Sequence, residues 1–110
     1  MRKILIADDE ANMRWVLERA LSKAGYEVET AEDGQLALER ALAERPDLVL
    51  LDLKMPKLDG LSVLRRLKEH YPDLLIIMMT AHGSTATAVE AMKAGAHDYL
   101  MKPFDMEEVN

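Results

Sequence analysis

Several side chains able to bear charge or react stand directly after short apolar runs. Asp8-Asp9-Glu10 follows Ile4 to Ala7, and Asp52 ends the run Leu48 to Leu51. Thr80 follows Leu74 to Met79, and Lys102 follows Tyr99 to Met101. A run such as Leu-Val-Leu-Leu reads as a strand covered on both faces. An ionised aspartate at its tip is costly unless something nearby compensates. Carboxylates gathered in one place repel unless a cation intervenes. A hard divalent ion is the natural remedy, and Mg2+ (or Mn2+) keeps several waters when few carboxylates hold it. Asp8, Asp9 and Asp52 set against one such ion and Lys102 cancel in formal charge. That pocket suits a phosphoryl group, with the Thr80 hydroxyl as a further donor. A carboxylate nucleophile is ionised at neutral pH and needs no general base. Phosphoryl transfer rests mostly on positioning and charge.

Taken singly, each of these residues has a plainer role. Asp8-Asp9-Glu10 suits the first turn of a helix. Asp52 and Thr80 suit caps, and Lys102 suits a solvated strand end. Joint placement favours the chemical reading, because unrelated caps need not converge on one rim. His70, His82 and His97 show no metal-ligand spacing and read as structural or surface residues. The eight methionines read mostly as core filler.

Convergence requires elements that bring the strand ends together. Ile4 to Ala7 reads as a strand, followed by a helix with Met13, Val16, Leu17, Ala20, Leu21 and Ala24 on its apolar stripe. Trp15 falls off that stripe, and Gly25 ends the helix. Tyr26 to Ala31 alternates apolar and acidic residues, the pattern of an edge strand with one wet face. Gly34 to Glu44 reads as a second helix with Ala37, Leu38, Ala41 and Leu42 inward. After the strand Leu48 to Asp52 come a helix from about Leu61 to Tyr71 and the strand Leu74 to Met79. A small-residue helix from Ser84 or Thr85 to Ala94 and the strand Tyr99 to Met101 follow. Such alternation predicts an α/β fold: a doubly wound five-stranded parallel sheet with helices on both faces. Right-handed crossovers and the polarity of the second strand favour the order 2-1-3-4-5. Ligands bind such sheets at the carboxyl ends of the strands, beside the topological switch point.

The sequence of 110 residues fits one domain with an aliphatic core. It has no cysteine, which removes disulfides and thiolate metal sites and suits a cytoplasmic location. No apolar run approaches membrane-spanning length. The net charge of −6 argues against nonspecific nucleic-acid binding by this segment.

With these residues in view, the sequence resembles the receiver domains of two-component response regulators, which share the flavodoxin-like fold. The matching residues are Asp8-Asp9, Asp52 with Met55-Pro56 and Gly60, Thr80-Ala81, Tyr99 and Lys102-Pro103. The stretch from Met79 to Asp105 looks most like receivers of nitrogen-regulation-type, sigma-54-dependent activators. The resemblance implies a phosphorylation-controlled signalling switch with a transcriptional output rather than a turnover enzyme. It makes Asp52 the phosphoacceptor, served by Lys102 and Thr80, with a histidine kinase as partner. It gives the Mg2+ ligands as Asp9, Asp52 and the Lys54 backbone carbonyl, with Asp8 acting through a metal-bound water. Thr80, Tyr99 and Ala81 would form the switch, in which Thr80 moves towards the phosphoryl oxygens and Tyr99 enters the space it leaves. Met55 and Pro103 would flank the site, with Lys102-Pro103 as the family's cis peptide. Lys54 and His82 would flank the path of the hydrolytic water and slow dephosphorylation. The output surface would be helix four, strand five and helix five, with homodimer formation there.

Two other readings compete. An aspartyl-phosphate phosphatase on a related fold places a second Asp two residues after its nucleophile, where this sequence has Lys54. A non-phosphorylated interaction module usually lacks some of the acids or the lysine, and here all are present. One departure from the family stands at the end. Asp105 reads as the N-cap of a fifth helix with Glu108 completing a capping box, so within a single domain 1–110 that helix is truncated from about 105. An apolar strip beside the first helix would then lie open, a second possible surface for self-association.

Overall fold

The computed structural model describes residues 2–80 and 85–101. Among them five strands alternate with four helices: β1 Lys3–Ala7, α1 Ala11–Lys23, β2 Glu27–Ala31, α2 Gly34–Glu44, β3 Leu48–Asp52, α3 Gly60–His70, β4 Leu75–Thr80, α4 Thr85–Lys93 and β5 Asp98–Met101. All strand pairs are parallel, in the order β2-β1-β3-β4-β5. This is the flavodoxin-like topology expected from the alternation of patterns. The truncated fifth helix lies outside the described residues.

Side-chain alternation along the strands divides the core into two layers. Leu5, Ala7, Val49, Leu51, Ile76 and Met78 face α2, α3 and α4 and pack with Leu38, Leu64, Leu67 and Ala91. Ile4, Ile6, Leu50 and Met79 face α1 and pack with Leu17 and Leu21. Leu17 and Leu21 are almost wholly buried, and each contributes roughly 2 kcal/mol by leaving water. The α1 stripe is narrower than its sequence suggests. Met13, Leu17 and Leu21 form the row that meets the sheet, whereas Val16 lies on the flank and is 44% exposed. Trp15 points to solvent, as expected, with the Arg19 guanidinium 4.9 Å from its ring centre.

Element ends differ from the expected bounds for identifiable reasons. The Asp59 carboxylate accepts from the Ser62 amide at 2.8 Å, so α3 starts at Gly60 rather than Leu61. The Leu74 amide donates to the Tyr71 carbonyl at 3.0 Å, which holds Leu74 in a turn and delays β4 to Leu75. The Tyr26 amide donates to Leu21 at 3.1 Å, so that residue closes α1 instead of opening β2. In α2, Asp33 caps by accepting from the Leu36 amide at 2.8 Å. The buried methionines 55, 78 and 79 are core residues as expected, but Met92 on α4 is 46% exposed.

Candidate functional site

The chain leaves β1 at Ala7 and places Asp8 beside the ends of β2 and β3. Asp8 is fully buried, and its polar groups have specific partners. Its amide donates to the Ala31 carbonyl at 3.1 Å, and its Oδ1 accepts from the Glu10 amide at 2.9 Å. Its carbonyl accepts from Nη1 of Arg14 at 2.7 Å. The turn so formed brings carboxylate oxygens of Asp8, Asp9 and Glu10 within 4.8 Å of one another. Asp9 and Glu10 are exposed, so the cluster has one buried wall and an open mouth.

Asp52 arrives from the neighbouring strand. Ala7 of β1 is in register with Leu51 of β3, so Asp8 and Asp52 both come one position beyond that registered pair. Asp52 is 5% exposed, at the end of a strand whose Val49, Leu50 and Leu51 are inaccessible to water. The β3–α3 loop folds tightly over it. The Leu53 amide donates to Met79 at 2.8 Å and the Gly60 amide donates to Leu53 at 2.9 Å. Gly60 is required there, because a Cβ at that position would lie 2.1 Å from the Asp52 carbonyl oxygen. The loop also leans on α2: the Gly34 amide donates to Pro56 at 3.3 Å, and the Lys57 ammonium lies 3.6 Å from the Asp33 carboxylate. Within this loop Met55 is nearly buried and the Lys54 side chain is exposed.

Thr80 closes β4 and is 1% exposed. It stands two residues beyond Met78, which is in register with Tyr99 of β5. Alternation therefore puts Thr80 and Tyr99 on the same face, that of α2, α3 and α4. Tyr99 is half-buried, and its hydroxyl is enclosed without a hydrogen-bond partner among the described residues. Burial pushes the pKa of that hydroxyl above its ordinary value.

Expected site residues thus fall into three groups. Asp8 and Asp9 come together, joined by Glu10, while Asp52 stands on the adjoining strand tip outside that tight trio. Thr80 and Tyr99 share one face further along the edge. Ala81, His82, Lys102 and Pro103 lie outside the described residues. Glu10, read from sequence as part of the acidic run, completes the trio, whereas Arg14, which holds the Asp8 carbonyl, received no role from sequence. The available signal for Arg14 was a cation in the first turn of a helix just after three acids, where the helix dipole disfavours positive charge. His70 and His97 are exposed, and His70 Nδ1 lies 2.9 Å from the Arg66 carbonyl, the surface role expected.

The donor set suits a hard divalent cation, because every candidate ligand is an oxygen and like charges already crowd one mouth. The sequence profile of the family described as the response regulator receiver domain matches residues 4–110. The chain is 46% identical over 105 residues to the DNA-binding transcriptional regulator NtrC of Escherichia coli (strain K12), an alignment covering 96% of this chain and 22% of that protein. It therefore spans about a fifth of the length of such relatives. A response regulator from Burkholderia pseudomallei, solved with a phosphorylated aspartic acid, calcium ion and citrate, is 36% identical with a TM-score of 0.93, over 99% of this chain and 64% of that one. A chain of the CheX-CheY-BeF3-Mg2+ complex from Borrelia burgdorferi is 29% identical with a TM-score of 0.94, over 98% of this chain and 83% of that one.

Proposed function

This chain belongs to the receiver-domain family of response regulators, and from that premise we propose that it is a phosphorylation-controlled switch with Asp52 as its acceptor. The supporting observation is a carboxylate almost wholly buried at a strand tip, beside a strand end that bears three further acids. In the reaction proposed, an Asp52 oxygen attacks the phosphorus of a phosphohistidine on a partner kinase. The P–N bond breaks, and the imidazole nitrogen leaves with the electron pair. Asp9, Asp52 and the Lys54 carbonyl would hold Mg2+ or Mn2+, with Asp8 acting through a bound water. When bound, such an ion offsets charge on the phosphoryl oxygens. Asp8 keeps its backbone fixed through Ala31 and Arg14, so the acids need not reorganise as charge develops. Lys102 is proposed to neutralise phosphoryl oxygens, and the Thr80 hydroxyl to donate to them.

The product replaces one negative charge by about two and adds strong acceptor oxygens. Thr80 is proposed to move towards them, and Tyr99 to enter the vacated space past Ala81. The enclosed Tyr99 hydroxyl, unpartnered among the described residues, supports this reading, because a buried donor without a partner favours an alternative position that supplies one. Met55 and Pro103 are proposed to flank the site, with Lys54 and His82 slowing hydrolysis by obstructing the water. The proposed output surface is α4, β5 and the helix after them. Val89 and Met92 of α4, 47% and 46% exposed, give that surface an apolar patch suited to a homodimer or an output domain. A single receiver domain in the cytoplasm, controlling transcription through a region beyond these residues, is part of the same reading.

Asp52→Asn keeps shape and removes the nucleophile. Incubation with a small acyl phosphate and Mg2+ should label the wild type and leave this variant unlabelled by mass spectrometry. Undiminished labelling would reject Asp52 as acceptor.

A further inference from the structure

We propose that Arg14 is a positioning residue for the acidic cluster: by holding the Asp8 carbonyl, it fixes the geometry in which a divalent cation binds. This rests on the metal-site reading above. The ties of Asp8 include bonds to the Ala31 carbonyl, the Glu10 amide and Nη1 of Arg14. The first two involve backbone of β2 and of the turn itself. Arg14 reaches it as a side chain, from the start of α1.

Its placement runs against local preference. A helix start favours acids and disfavours cations, yet α1 has no acidic residue in its first turn and carries Arg14 there. The compensation is the 2.7 Å charge-assisted bond to the carbonyl and the three carboxylates on the adjoining turn. Arg14 also lines a shallow cavity of about 210 Å³ with Thr30, Glu32, Leu36 and Arg40, so its remaining donors face a polar, open space. The guanidinium thus stays solvated on one side while one nitrogen reaches inward. Its backbone amide makes the ordinary first helical bond of α1, to the Glu10 carbonyl at 3.1 Å, so the tie to Asp8 is the one the side chain adds.

A positioning role and mere charge balance predict opposite signs. If Arg14 only offsets the acids, removing it deepens the negative potential and tightens binding of a divalent cation. If it positions them, removal frees the Asp8–Asp9 peptide, the carboxylates relax apart, and binding weakens. Partners that orient metal ligands are worth roughly 10-fold or more in affinity. Arg14→Met and Arg14→Gln should therefore weaken Mg2+ binding about 10-fold, and Arg14→Lys, which keeps charge and reach, should restore part of it. The Mg2+ concentration for half-maximal labelling by acyl phosphate should rise in parallel, while the rate at saturating Mg2+ stays within about twofold.

The test is calorimetric titration of Mg2+, with circular dichroism in EDTA to establish that each variant is folded. Arg40→Ala, which alters the same cavity but not the tie to Asp8, should bind like wild type. Unchanged or tighter binding by folded Arg14→Gln and Arg14→Lys, with a wild type that binds, overturns the role of Arg14 and leaves the proposed function standing. A wild type that binds no divalent cation overturns both. Should Arg14→Met fail to fold, the Gln and Lys variants decide alone.

Discussion

At the amino edge of the sheet, Lys3 is set among acids from α2, from β2 and from the turn before β3. Its ammonium lies 2.6 Å from Glu44 and 3.9 Å from Glu27, and its amide donates to Asp47 at 2.9 Å. At the carboxyl edge, Asp8, Asp9 and Glu10 are set against one another, with the nearby Arg14 spent on a carbonyl. One edge alternates its charges, and this ties the ends of α2, β2 and β3 to the start of β1. The other, among the described residues, gathers three carboxylates within 4.8 Å of one another where backbone ties hold them. Stability alone would arrange both edges in the first way. The contrast is what the proposed binding site at the carboxyl edge would require.

The severest way to break this contrast is through backbone at the carboxyl edge. Gly60→Ala drives a methyl group into the Asp52 carbonyl, and overpacking of that kind should cost about 3 kcal/mol in urea unfolding. A glycine substitution that left stability unchanged would mean that the loop does not need its close approach. Next comes the ion itself. Mg2+ at about 100 times its dissociation constant should stabilise the wild type by about 2.7 kcal/mol in thermal unfolding. Asp9→Asn should lose most of that gain. In EDTA, however, the same variant should be more stable than wild type by roughly 0.5 kcal/mol, since it relieves like-charge crowding. A destabilised Asp9→Asn in EDTA would show that the acids do not strain the fold.

The amino edge should respond least and with the opposite sign. The hydrogen bond from Lys3 lowers the pKa of Glu44 from its ordinary 4.5, and the bond to Glu44 raises that of Lys3 from 10.5. A depressed carboxylate contributes stability above its unfolded pKa and loses it as pH falls through its folded value. The raised ammonium contributes below 10.5 and loses it as pH rises through its folded value. Glu44→Gln should therefore lower the melting temperature slightly at pH 7 and flatten its decline below pH 4.5. An unchanged acid limb would remove the pair from any account of pH stability. Both groups meet water, so the effect is small.

The sheet order was readable because only the Tyr26 to Ala31 segment carries acids on alternate positions, which makes it an edge. The convergence of Asp8 and Asp52 followed from that order, since β1 and β3 had to be neighbours. Other features depend on contacts that no periodicity encodes. Val16 satisfies the helical spacing of its stripe, yet Leu17 and Leu21 pack on the sheet and Val16 stays on the flank. Arg14 acts through a backbone carbonyl, whose orientation depends on the turn and not on the identity of any nearby side chain. Element ends shifted by a residue wherever a local bond, such as that from the Leu74 amide to Tyr71, competed with strand pairing.

The latch between Gly34 and Pro56, reinforced by Lys57 and Asp33, makes the surroundings of Asp52 mechanically lopsided. A Cβ on Gly34 would stand 1.6 Å from the Leu58 carbonyl oxygen, so no slack separates α2 from that loop. Packed contacts transmit displacement instead of absorbing it. A push that begins at the β3 tip therefore meets a wall on the α2 side.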